Sequence, residues 1–276
     1  MVAAGRAADW HSYQSPTFKL RRLPLFQCSP AGLWVAVGKY RVSVPAQAAG
    51  ESRASRLRTY YAGEHTLSYN RRWQAFLEKT LAAALSVLNA TQLQEDARVR
   101  GHGQPLRILD AACGTGLLLK QLAHLLPEAE LYGVDASHDM LMQAQSLLQT
   151  CPHVHLLQAS LSGEERAGLP YAPAFFDLII CTNSVHYFKE PEDILRELHS
   201  LLAPMGQMVI EDYVLRGFPF PWKAFEWAIR WYDPQHIRLY TLSQAQALCR
   251  SLGFQVVSAK SFPIDIFCQG WVVCCH

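Results

Sequence analysis

What this chain does not contain narrows its chemistry first. Its eight cysteines, Cys28, Cys113, Cys151, Cys181, Cys249, Cys268, Cys274 and Cys275, form no Cys-x-x-Cys pair, so neither a dithiol redox motif nor a zinc-ligand pair is expected. Most of them sit in apolar runs, which suits buried, reduced thiols in a cytosolic protein. No window approaches roughly 18 uncharged apolar residues, so no transmembrane segment is expected. A Gly-Lys-Ser/Thr sequence is missing, which excludes a P-loop. Acids are scarce at the start: residues 1–72 hold three Asp/Glu against eleven Lys/Arg, while residues 73–276 hold twenty against fourteen. The net charge of +2 therefore conceals a basic first quarter and an acidic remainder.

The composition that is there, 50% hydrophobic and 17% charged in 276 residues, fits a globular protein with a sizeable core. Residues 1–58 carry many Ala, Gly, Ser, Pro and Arg without helical periodicity. A disordered or loosely packed extension is expected there, although a transit peptide or a nucleic-acid arm would have the same composition. The domain proper is expected over 59–276. Apolar residues from Trp73 to Leu88 recur at helical spacing, which predicts a helix over 70–89. Strands are predicted at 105–110, 130–135, 154–158, 176–182, 206–212, 254–260 and 270–275. Helices are predicted at 116–126, 138–149, 191–202 and 242–252. Pro191 stands at a favoured first-turn position, and Thr241 to Gln244 reads as a capping box. Alternating strands and helices argue for an α/β fold with an open, mostly parallel sheet. The connection 261–269 is too short for a crossover helix, so the last two strands are predicted antiparallel.

The most informative stretch is Ile108-Leu109-Asp110-Ala111-Ala112-Cys113-Gly114-Thr115-Gly116, followed 19 residues later by Asp135 at the end of a second apolar run. This is a strand, tight loop, helix and strand of a doubly wound nucleotide-binding unit. The dinucleotide fingerprint requires a third glycine where this chain has Leu119, so it fails. An acid two residues before Ala112-x-Gly114-x-Gly116 would repel a pyrophosphate and attract a cationic ligand. Glycines 114 and 116 would let the backbone approach that ligand, and Ala112 is tolerable at the first glycine position if its φ is negative. Asp135 can accept hydrogen bonds from ribose hydroxyls.

These residues resemble the first two motifs of the class I S-adenosylmethionine-dependent methyltransferases, of the type 11 or ubiquinone/menaquinone-methylase-like group. The resemblance extends over about 69–276. It implies a Rossmann-like, doubly wound seven-stranded sheet in the order 3-2-1-4-5-7-6, with the last strand antiparallel and helices on both faces. It implies that S-adenosyl-L-methionine is the cofactor. Asp110 and the loop at Ala112, Gly114 and Gly116 would hold the methionine part and Asp135 the ribose. Ala136, Met140, Ser160 and Leu161 would line the adenine, with Ser160 replacing the usual acid. Asn183 would lie against the methionine moiety. Tyr69 would close over the cofactor, with Arg71 or Arg72 facing the methionine carboxylate.

Two histidines are candidate general bases, His186 after the strand at 176–182 and His236 in Asp233-Pro234-Gln235-His236-Ile237-Arg238. The aromatic-rich insert 213–240 follows the fifth strand of the domain and is expected to wall the acceptor pocket. The resulting expectation is a cytoplasmic enzyme that methylates a small molecule and needs no metal or nucleic-acid partner. A non-catalytic protein that binds the cofactor, or a methyltransferase acting on RNA or protein, would share the same motifs. Limited proteolysis is expected to trim residues 1–58 and leave a soluble core starting near Thr59 that still binds cofactor. A trimmed core that aggregates would show that the basic segment belongs to the fold.

Overall fold

The computed structural model describes the backbone of residues 27–29, 32–37 and 40–43, and residues 63–89, 91–95, 104–161, 168–216, 238–266 and 268–276. The chain divides into two compact units, Met1–Ala49 and Gly50–His276. The first contains a three-stranded antiparallel sheet of β1 (Gln27–Ser29), β2 (Gly32–Val37) and β3 (Tyr40–Ser43). No helix among the described residues is long and apolar enough to cross a membrane.

The second unit begins with α1 (Glu64–Leu85). It continues as β4 (Arg107–Ala111), α2 (Leu117–Leu125), β5 (Glu130–Asp135), α3 (His138–Leu147), β6 (Val154–Gln158) and β7 (Phe176–Thr182). After a single 3-10 turn, Val185–Tyr187, come α4 (Pro191–Leu201), β8 (Leu202–Leu215), α5 (Leu242–Ser251), β9 (Val256–Pro263) and β10 (Cys268–Cys275). The strands form one seven-stranded sheet in the order β6-β5-β4-β7-β8-β10-β9, which is 3-2-1-4-5-7-6 counted from β4. β10 is antiparallel to both of its neighbours, and the remaining pairs are parallel. This is the expected Rossmann-like fold.

The pattern of each strand follows its place. β7, in the middle, is buried at all seven residues, and apart from Asp177 and Thr182 it is apolar. β6, at the edge, is only half-buried. On one face Ile108, Leu178, Ile180 and Val209 pack against α1, α2 and α3 through residues such as Leu81, Leu122 and Ala144. On the other, Leu109, Ile179, Cys181 and Ile210 meet α4 and α5 through Leu195, Leu198 and Cys249. Capping sets the helix starts. The Ser137 side chain accepts from the Met140 N–H, and Thr241 and Gln244 form the reciprocal capping box. The seven cysteines with described side chains are free thiols.

α1 begins six residues before its predicted start, because its first turns are fixed by distant contacts and not by apolar periodicity. Gly63 N–H donates to Asp139 Oδ2 (2.7 Å), and Thr115 Oγ1 lies 2.7 Å from Asn70 Oδ1. Further along, Asn183 Nδ2 donates to Thr80 Oγ1 (3.0 Å) and the Lys79 ammonium to the Ile264 carbonyl. These bonds lay the helix across the carboxyl ends of β4 and β7.

Two backbone expectations need correction. Ala112 has φ +68°, so an alanine occupies the left-handed conformation that the usual glycine would adopt freely. Gly116 has φ +77°, and a Cβ there would lie 2.9 Å from Leu148 Cδ1 and 3.0 Å from Ala144 Cβ. The space its missing side chain leaves is therefore taken by α3, not by a ligand. Gly116→Val is expected to lower stability by about 2–4 kcal/mol, from left-handed strain and overpacking, read as a drop in the denaturant midpoint. A normal midpoint with lost ligand binding would restore the ligand-approach role. Ala112→Gly is expected to be neutral or to stabilise by about 1 kcal/mol, since it relieves the strained φ.

Candidate cofactor site

The carboxyl ends of β4, β5 and β7 open into a cavity, the position where open α/β sheets bind ligands. The loop after β4 is drawn onto β5 by Cys113 N–H to Val134 O (2.9 Å). Its next amide, Gly114 N–H, donates to Asp135 Oδ2 (2.8 Å), while Ser137 N–H donates to Asp135 Oδ1 (2.8 Å). A Cβ at Gly114 would meet no atom within 4 Å, so here the backbone itself faces the cavity.

The two acids stand in different states. Burial raises the Asp135 carboxyl, and the amides of Ser137, Gly114 and Ala136 pull it back down. Both oxygens accept from these amides, and a carboxylate has about four acceptor sites, which leaves capacity for a hydroxyl. Asp110 is 1% exposed, and neither of its oxygens has a hydrogen-bond partner among the described residues. Burial, then the charge of Asp135, pushes its pKa up to about 8. A buried carboxyl with no donor calls for a cationic or N–H-bearing group supplied from outside the chain.

The cavity gathers Tyr69, Asp110, Ala112, Gly114, Asp135, Ala136, Met140, Ser160, Leu161 and Asn183, all of which the sequence had singled out. Gly116 does not line it. Arg71 and Arg72 are exposed on α1 and do not line it either. His186 is 3% exposed, lies behind the cavity lining and is bonded to Asp212. His236 and residues 217–237 of the insert lie outside the described residues. Several lining residues escaped the sequence reading. Leu77 and Leu81 belong to the apolar stripe of α1 and look like plain core, and Thr115 looks like loop. Ser184 and Phe188 come from the turn after β7, beside Asn183 and His186, which the sequence did single out.

Residues 108–206 match the methyltransferase domain family. That stretch, from β4 to the start of β8, is what this chain shares with methyltransferase domains. Among sequence relatives, the malonyl-acyl-carrier-protein O-methyltransferase of Halalkalibacterium halodurans is 28% identical over 44% of this chain and 44% of its own length. The chain spans less than two thirds of the length of the curated relatives it matches. Among solved structures, YcgJ of Bacillus subtilis superposes with a TM-score of 0.52 at 19% identity, covering 68% of this chain and 98% of that one. Phosphoethanolamine N-methyltransferase 2 of Haemonchus contortus, solved with S-adenosylhomocysteine, gives 0.52 at 15% identity, covering 68% and 52%. These likenesses support the fold of the methyltransferase domain.

The orphaned Asp110, the partly satisfied Asp135 and the open backbone at Gly114 fit S-adenosylmethionine, which offers an ammonium, two ribose hydroxyls and a sulfonium. The elevated Asp110 gives the methyltransferase domain a pH signature. A carboxyl raised in the fold disfavours folding as pH rises from its ordinary 3.8 toward about 8. A cationic ligand requires the ionised form, so binding below about pH 8 must expel a proton. S-adenosylhomocysteine affinity is therefore expected to rise up to about tenfold per pH unit between about pH 6 and 8, then level off. Calorimetry in buffers of different ionisation enthalpy should show the released proton, and Asp110→Asn should abolish both effects. A flat affinity profile would show that Asp110 does not meet the cation. Asp135→Ala is expected to weaken S-adenosylhomocysteine by about 2–4 kcal/mol, measured in the same titration.

Proposed function

We propose that this domain transfers the methyl group of S-adenosylmethionine to a small-molecule acceptor. The observation that supports it most is the juxtaposition of a buried, partnerless Asp110 with an amide-held Asp135 at the tips of neighbouring strands. A pyrophosphate would be repelled there, and an adenosyl sulfonium would be attracted.

The cofactor, when bound, supplies an electrophilic methyl on a sulfonium. Asp110 would hold the ammonium, and Asp135 would fix the ribose through its remaining lone pairs. Met140 and Leu161, both largely buried, would form the apolar slot for adenine. Tyr69, Leu77 and Leu81 on α1 would close the cavity from above and keep water from the sulfonium. The domain's contribution to rate is then chiefly orientation, because in-line displacement requires little more than donor and acceptor held in line.

A small acceptor is favoured by the acidic balance of residues 73–276. The test is incubation of the full chain with methyl-labelled S-adenosylmethionine and, separately, a metabolite extract or bulk tRNA. Label is expected in a metabolite. Label confined to tRNA would overturn the choice of acceptor. Tight binding of NAD(H) without binding of S-adenosylhomocysteine would overturn the cofactor.

A further inference from the structure

Glu211, on β8, is a buried acid outside the motifs. It stands in register with Thr182 of β7 and Val272 of β10, and alternates with Val209 onto the face of the sheet that α1 covers. It is wholly buried, and neither of its carboxyl oxygens has a hydrogen-bond partner among the described residues. A carboxylate left so, with no donor on it, would be costly to keep ionised. Burial, then the charge of Asp212 next to it, raises the carboxyl well above its ordinary range, against the pull of the Asn183 N–H. That last influence also locates the group: the carboxyl lies beside Asn183.

Asn183 carries the matching deficit. It lines the cavity and stands at φ +52°. Its backbone N–H donates to the Glu211 carbonyl (3.0 Å), and its Nδ2 donates to Thr80 Oγ1 (3.0 Å). Thr80 Oγ1 donates in turn to the Leu77 carbonyl (3.2 Å), so its one proton is used and it can only accept from the amide. That fixes which way the Asn183 amide faces. Its Oδ1 is turned elsewhere, buried and without a donor among the described residues. Two buried acceptors on neighbouring strands, each lacking a donor, are satisfied at once by a single proton.

We propose that Glu211 is a positioning residue for the cofactor cavity, and that as a carboxylic acid it donates to Asn183 Oδ1. The bonds then run head to tail from β8 to the roof of the cavity: Glu211 to Asn183, Asn183 to Thr80, and Thr80 to the Leu77 carbonyl. Each polarises the next. Asn183 and Leu77 both line the cavity, so the chain ties α1 to the strand tips. Loss of the proton would set acceptor against acceptor and release Asn183. The role in cofactor binding rests on the methyl-transfer reading, whereas the hydrogen bond does not.

The test reads the acid directly. The full chain, labelled with 13C at its glutamate carboxyls, is expected to show a protonated-carboxyl C=O band in the infrared at neutral pH. The band should shift with the label, which separates it from Asp110, should lie at the lower frequency of a hydrogen-bonded acid, and should vanish in Glu211→Gln. In calorimetry, Glu211→Gln, whose amide can still donate to Asn183, is expected to bind S-adenosylhomocysteine within about twofold of the unsubstituted chain. Glu211→Met, which fills the space without a donor, is expected to bind about five- to tenfold more weakly. If Glu211 only fills space, the two variants bind alike. The infrared readout does not depend on the Met variant folding. No label-sensitive band, a band at the frequency of an acid without an acceptor, or equal affinity in the two variants would each overturn the proposal while leaving cofactor binding intact. A chain that shows the band and binds no S-adenosylhomocysteine would remove the methyl-transfer reading and the cofactor role of Glu211 together, with its bond to Asn183 still read by the spectrum.

Discussion

Two carboxylates buried at the tips of adjacent parallel strands impose most of what surrounds them. The register of β4 against β5 sets Asp110 opposite Gly133 and brings Asp135 to the same edge. Like charges so placed cannot both be satisfied by the short loop between them, which has few amides to offer. The loop spends its Gly114 amide on Asp135, and none reaches Asp110. To deliver that amide it takes left-handed turns at Ala112, Gly114 and Gly116. The last of these makes room for α3, and Gly133 does the same for Leu119, Cys113 and Leu156. Small residues here serve helix-to-strand packing as much as ligand approach. The chain thus carries a local electrostatic deficit whose natural remedy is a positively charged guest.

The other half of the cavity comes from outside the alternating unit. α1 brings Tyr69, Leu77 and Leu81 over the strand tips, and its bonds to the strand-end loops and to the β9–β10 turn span the sheet. Asn183 joins both halves. Its backbone N–H donates to Glu211 O (3.0 Å), its side chain reaches Thr80, and it adopts φ +52°, which asparagine tolerates. Beneath it, Glu211 is wholly buried and its carboxyl is pushed well above the usual range by burial and by Asp212. On β8, neighbouring acids facing opposite sides of the sheet thereby meet different surroundings, one buried without a side-chain hydrogen-bond partner among the described residues and one gripping an imidazole.

Much of this was legible because it is local. The alternation from β4 to β6 shows directly in the apolar periods, and the apolar stretch Leu178–Cys181 of β7 marks a central strand. Ser137 and Thr241 announce their helices by capping chemistry. What the sequence hid is what depends on distance. The start of α1 rests on Asp139, 76 residues from Gly63. The sign of φ at Ala112 follows from where the loop must send its amides, and no residue type reveals it. Leu77 and Leu81 obey a core pattern and line a cavity as well. His186 could be suspected from its place after β7, but its partner Asp212 becomes visible only when β7 and β8 lie side by side.

The position of β10 also dictates an order of assembly. β9 precedes it in the chain, yet β10 lies between β9 and β8 and pairs with both. β9 therefore has no place on the sheet until its successor has arrived. β10 must dock on β8 before β9 or together with it, and its Trp271 and Val273 close one face and its Val272 and Cys274 the other. The parallel strands can associate earlier, but β8 keeps an open edge until β10 arrives, which makes it the seam most exposed to mispairing while the chain folds.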